Sequence, residues 1–142
     1  MATTIDVIRD RIASICGGAP FQFTEAVTPF DFELQPSGAI DGAFRVTSAQ
    51  GSVIGGFNYS EERTDHVDVW VARKQAGAAG VCYRQLLLDA SSLRAAVVRD
   101  GLVNGGDYAV PDDGAEYAIE HESGREYAVL RLTVPVNFEA TV

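Results

Sequence analysis

Apolar and polar residues alternate almost without a fault from Glu126 to the end of the chain. Ala128, Leu130, Leu132, Val134, Val136 and Phe138 fall on one face, and Arg131, Thr133, Asn137 and Glu139 on the other, the period of a strand with one buried side. At about 3.3 Å per residue, a strand from Arg125 to Glu139 spans roughly 50 Å. A compact chain of this length has a radius of gyration of only about 14–15 Å, so the strand must bend or reach past its own body. Pro135 has no N–H to give to a ladder, which places the outer part of the strand on an edge or a projection.

Helical spacing marks the other end. Ile5, Ile8, Ile12 and Ile15 share one face against Asp6, Arg9, Asp10 and Arg11, with Thr3 or Thr4 as cap and Gly17-Gly18 before Pro20 as stop. Phe21-Gln22-Phe23 and Phe30 to Leu34 predict brief strands whose phenylalanines cover the end of the core. Phe44 and Val46 begin a meander, with Ala49-Gln50-Gly51 as its turn and Val53, Ile54, Phe57 and Tyr59 on the return strand. The Gly55-Gly56 pair in that strand permits a bulge or a close backbone approach. A charged turn, Ser60 to Arg63, precedes a strand carrying Val67, Val69 and Val71.

The period then becomes helical. Cys82, Leu86, Ala90, Leu93 and Val97 form a stripe, and Ser91-Ser92 leaves open whether one helix or two lie between Ala78 and Asp100. After a loop at Asn104-Gly105-Gly106, the segments Asp107 to Val110 and Glu116 to His121 join the last strand in a sheet. The expected fold is α+β with two layers, a mainly antiparallel sheet with helices packed on one face, in one domain over residues 1–142.

Composition adds limits. A chain of 142 residues, 46% hydrophobic and 22% charged, can bury a core without staples. Net charge of −9 argues against a surface that grips nucleic-acid phosphates. Acids concentrate at Asp107, Asp112, Asp113, Glu116, Glu120, Glu122 and Glu126, where Arg125 is the single opposing base. No apolar run reaches the ~18 residues of a membrane span, and no leader pattern opens the chain. Cys16 and Cys82 read as small buried hydrophobes.

Candidate chemistry is sparse. His66-Val67-Asp68 puts an imidazole and a carboxylate on one strand face, the raw material of an acid–base or metal pair, and His121 sits at a hairpin turn. The glycines from Gly101 to Gly106 follow a helix, where a phosphate loop would open one. Phe57 and Tyr59 beside Arg63 lack the basic flank of a nucleic-acid platform. No catalytic constellation, cofactor cradle or metal set emerges, and the reading is of a non-enzymatic protein.

The helix IDVIRDRIASI, the segment PFDFELQP, the meander ending RTDHVDVWVARK, the helical LLLDASSLRAAVV and the strand YAVLRLTVPVNFEATV together resemble the tail terminator proteins of long-tailed bacteriophages. The likeness is one of element order over nearly the whole chain, and it carries no short motif. It implies a structural virion protein, assembled in the host cytoplasm, that forms a ring of usually six copies. Such a ring caps the tail tube protein, stops tail polymerisation and meets the head–tail connector, while DNA passes through the lumen without specific binding. A closing ring needs heterologous contacts, for which a strand edge is direct.

The residues expected at that interface are Gly55, Gly56, Phe57, Tyr59, Thr133, Pro135 and Asn137. Those expected to line the lumen with negative charge are Glu61, Glu62, Asp112, Asp113 and Glu116. The alternatives are another neck or tail component, such as a head-completion or tail-tube protein, and a small-ligand-binding or hydrolytic domain using His66 and Asp68.

Overall fold

The computed structural model describes residues 3–27, 32, 40–57, 60–75, 79–103, 108–111, 114–121 and 126–141. Helix α1 covers Ile5–Gly17 and helix α2 Ala79–Val103; strands β1 (Thr24–Glu25), β2 (Ala43–Phe57), β3 (Ser60–Lys74), β4 (Glu116–Glu120) and β5 (Tyr127–Thr141) form one sheet in the order β1-β2-β3-β5-β4. The named strands pair antiparallel except in the two-residue contact of β1 with β2, and Thr3 adds an isolated parallel bridge to Ala140. The fold is the expected α+β arrangement, with both helices on one face of the sheet.

Local chemistry accounts for α1. Thr4 Oγ1 accepts from the Val7 amide at 3.3 Å, Asp6 sits in the first turn, and Gly18 donates back to the Ser14 and Ile15 carbonyls, so both helix ends find partners. Ile8, Ile12 and Cys16 are fully buried, while Ile5 and Ile15 only flank the core. Helix α2 is one continuous element of 25 residues, about 37 Å long. Ser91 and Ser92 lie exposed on its outer side, where an interior serine costs little.

Cys82, Leu86, Ala90, Leu93 and Val97 of α2 pack with the α1 stripe onto Val46, Val67, Val69, Val71, Leu130, Leu132, Val134 and Val136. Burying each such side chain contributes about 1.5–3 kcal/mol. The opposite face is not uniformly wet: Phe32 and Ile40 cover Ala43 and Ala72 there, flanked by Trp70, Tyr127 and Val129. That is where one of the connecting-segment phenylalanines goes. Phe30 and Leu34 lie outside the described residues. Phe21-Gln22-Phe23 is not a strand, because Gln22 takes a positive φ of 53°, and pairing begins one step later, at Thr24.

The meander differs most from expectation. Ala49-Gln50-Gly51 is no turn: β2 runs straight through it and pairs with β3 from Ala43↔Ala72 to Phe57↔Ser60. Residues Ser60 to Arg63, expected as a charged turn, open β3 instead. Two register shifts, between Ser48 and Gln50 and between Val53 and Gly55, place bulges at Ala49 and Ile54. A bulge inserts one residue and flips the alternation beyond it, so the pattern read along β2 breaks without the strand ending. The second bulge adjoins the glycine pair, as its composition permits.

Gly51 answers a different need. Its partner across the ladder is Asp65, 2% exposed, and a β-carbon at Gly51 would overlap the Asp65 carboxylate. We expect Gly51→Ala to cost about 1–3 kcal/mol, the usual range for overpacking, despite the ~0.5–1 kcal/mol that alanine gains over glycine in a strand. Thermal melting checks this, and Asp65→Ala in the same chain should recover most of the loss.

Buried groups also set a pH limit. Burial pushes the Cys16 thiol up from 9.0 to about 12. Burial, then the hydrogen bond that Tyr108 Oη donates to Asp100 Oδ2 at 2.8 Å, raises the Tyr108 phenol as well. Both stay protonated in the fold while the unfolded chain releases its protons first, so stability is complete below about pH 9 and lost as pH climbs toward 12, at up to about 1.4 kcal/mol per pH unit per group. Urea midpoints should fall across that window, and Cys16→Ala should flatten the fall.

Candidate functional site

On the sheet face away from the helices, β3 places His66, Asp68 and Trp70, β5 places Arg131 and Thr133, and β4 places Glu116. The register aligns them: Glu116 lies opposite Thr133, Thr133 opposite Asp68, and Asp68 opposite Thr47. Asp68 is buried, and both its oxygens are taken. Arg131 Nη2 donates to Oδ2 at 3.0 Å, and Thr133 Oγ1 donates to Oδ1 at 2.7 Å, which is how a carboxylate with no water survives burial.

The Arg131 guanidinium also lies 5.0 Å from the Trp70 ring centroid and that of Arg45 4.1 Å from it, both within cation–π range. Trp70 Nε1 donates to Thr47 Oγ1 at 3.1 Å. A cavity of about 360 Å³ opens among His66, Asp68, Glu116, Tyr117, Arg131 and Thr133.

His66 and Asp68 therefore share a face, as expected, but no hydrogen bond joins them. His66 Nδ1 is buried with no partner among the described residues. Those residues hold no group of three His, Cys, Asp or Glu side chains arranged to bind a metal ion. Cys16 and Cys82 are free and buried. A larger cleft of about 1320 Å³ separates the C-terminal part of α1 from that of α2. Its walls are mainly apolar, with Ile15, Phe21, Val98 and Leu102 on them, and Arg94, Arg99 and Asp100 also line it.

The predicted interface residues separate into two groups. Thr133, Pro135 and Asn137 are not on a free edge, because β5 lies inside the sheet. One side pairs with β3 along all 15 residues. The other side meets β4 up to Thr133, exchanges two 2.8 Å hydrogen bonds with Ala109 at Asn137, and receives the Thr3 amide at Glu139. Asn137 Oδ1 also accepts from Thr64 Oγ1 at 2.6 Å. Pro135 sits in the gap between the end of β4 and the Ala109 bridge. The Asn137 amide points to that side, and positions two apart point alike, so the missing proline N–H removes no bond to β3. Gly114 fills the space beside the ring, and the 50 Å strand is held by two neighbours rather than projecting.

Gly55, Gly56 and Phe57 lie on β2, which is an edge. Among the described residues strand β1 covers it only at Ala43 and Phe44, and Arg9 Nε donates to the Val46 carbonyl at 3.0 Å. Beyond Ser48 no other strand of the described residues pairs with that side. Tyr59 lies outside the described residues.

The acidic residues also divide. Glu62 is exposed, opposite Gly55 on one side and Glu139 on the other. Glu61 is half-buried and 4.0 Å from Arg63. Glu116 is exposed at the start of β4, six ladder positions from Glu62, about 20 Å along the sheet. Asp112 and Asp113 lie outside the described residues. Sequence reasoning missed the Glu62–Glu139 juxtaposition and the Arg45–Trp70–Arg131 cluster, which only the cross-strand register creates.

No helix among the described residues is long and apolar enough to cross a membrane. No protein-family model matches this chain, and no curated protein sequence matches it.

Proposed function

We propose that this chain is a structural virion protein of the tail-terminator type, a ring that caps the phage tail tube, halts its growth and joins it to the head connector. The observation that carries the reading is the open side of β2: a long strand with no strand partner on one side beyond Ser48 among the described residues. An unpaired edge is a template for another chain, and a heterologous contact through it closes into a ring when the rotation allows. Exposed like charges facing each other, Glu62 and Glu139, cost the fold a little and suit a wall past which DNA slides, since each phosphate contact adds affinity that must then be broken.

Disrupting the gene and imaging the particles by negative stain tests the reading. Tails of uncontrolled length that fail to join heads are the expected result; tails of normal length would overturn it. Purified protein that polymerises alone into long cylinders would instead identify a tail-tube protein. The His66 cavity favours one other reading, a small-ligand site; it requires that His66→Ala abolish function while leaving tail length unchanged.

A further inference from the structure

The sheet has a second open edge. Strand β4 is bonded to β5 on one side only, and its other side has no partner among the described residues. Going across the sheet, β2 and β5 run one way and β3 and β4 the other. A second copy set beside the first in the same orientation therefore brings its β2 antiparallel to the first copy's β4. We infer, resting on the ring reading above, that subunits join by this strand addition, with Tyr117 opposite Val53 of the next copy and Ile119 opposite its Gly51.

Three independent features fit that register. The first is hydrogen bonding. Glu116 and Ala118 face β5, in step with the Asn137 amide, which leaves the N–H and C=O groups of Tyr117 and Ile119 pointing outward; by the same alternation those of Gly51 and Val53 point outward from β2. The two pairs then exchange bonds directly.

The second is apolar cover. Val53 is 55% exposed and Tyr117 57% exposed, one on each free edge. Both lie on the helix-bearing face, opposite Arg63 and Leu132 respectively, so strand addition sets them side by side. The third is charge. Strand β2 has Arg45 and no carboxylate in 15 residues, in a chain of net charge −9, whereas β4 is Glu-Tyr-Ala-Ile-Glu. Bulges at Ala49 and Ile54 leave Gln50 to Val53 as the regular run between them, one residue shorter than β4, and oppose slippage.

A disulfide trap tests the contact. Ala118 would face Ser52 of the next copy as a non-hydrogen-bonded pair with Cα atoms about 4.5 Å apart, within disulfide reach. Both positions are exposed. Mild oxidation of the assembled Ser52→Cys/Ala118→Cys variant should give a ladder of linked chains on a non-reducing gel, and each single variant should run as one chain. A double variant that sediments as an oligomer yet gives no ladder would overturn this contact and leave the ring reading standing. Wild-type protein that stays monomeric at every concentration, and also with purified tail tubes, would overturn both. As a second arm, Val53→Pro removes an outward N–H and no bond to β3. It should melt like wild type and self-associate at least tenfold more weakly; unchanged association would overturn the proposal.

Discussion

Replacing Arg73 by methionine is expected to cost about 3–5 kcal/mol, the range for leaving one partner of a buried ion pair alone. Arg73 Nε and Nη2 donate to the two oxygens of Asp89 at 2.9 and 3.1 Å, a two-pronged contact that fixes β3 to α2. Asp89 is 4% exposed. Burial works against the Arg73 charge, and the hydrogen bonds and field of Asp89 more than offset it, so its pKa is raised. In Arg73→Met, Asp89 keeps only the 3.2 Å bond from Gln85 Nε2, too little for a carboxylate without water. Domains of this kind are stable by about 5–15 kcal/mol, so the loss should be visible as a large shift in the urea midpoint. Adding Asp89→Leu should restore most of it, because an apolar pair often replaces a buried ion pair at no cost. A loss below about 1 kcal/mol would mean that water reaches the pair and that apolar contact alone holds α2.

What the residue pattern disclosed, and what it hid, follows from the distance over which each rule acts. Helix α1 was legible because its cap, stripe and stop lie within one segment. The identity of the α2 stripe was legible for the same reason, and Ser91-Ser92 was ambiguous because serine on an exposed turn neither breaks a helix nor favours it strongly. Strand β5 was legible as a strand and misplaced as an edge. Proline excludes a hydrogen bond on one side only, and which side faces β3 is a property of the ladder, not of the residue. Strand β2 was divided in two because its bulges shift the alternation exactly as a turn would. The Asp107 to Val110 segment shrank to a single bridge at Ala109: Tyr108 and Val110 flank it outside any strand, and Asp107 lies outside the described residues.

The candidate site was less legible still. His66 and Asp68 are visible as an i, i+2 pair, but the partners that engage Asp68 are 63 and 65 residues away along the chain. A resemblance in element order, rather than any motif, supplied the functional expectation. The open side of β2 was one of two edges the sequence nominated, and pairing among the described residues leaves it as the one available of the two.

The sidedness of β5 gives the other large effect. Leu132→Asp should leave the chain largely unfolded. Leu132 is 2% exposed, between Val69 on β3 and Tyr117 on β4, with its side chain in the core shared by both helices. The substitution forfeits about 1.5–3 kcal/mol of apolar burial and puts a carboxylate into the apolar core, a further cost of several kcal/mol (about 3–5). Together these approach the whole stability of a typical domain. Leu132→Met, which keeps volume and polarity, should cost less than about 1.5 kcal/mol. One residue earlier the same strand turns its face: Arg131 is half-exposed, and Arg131→Ser should stay folded while loosening Asp68. Circular dichroism of the three variants separates the cases. If Leu132→Asp melts near wild type, β5 has been assigned the wrong face, and the edges at β2 and β4 lose the register from which their pairing was drawn.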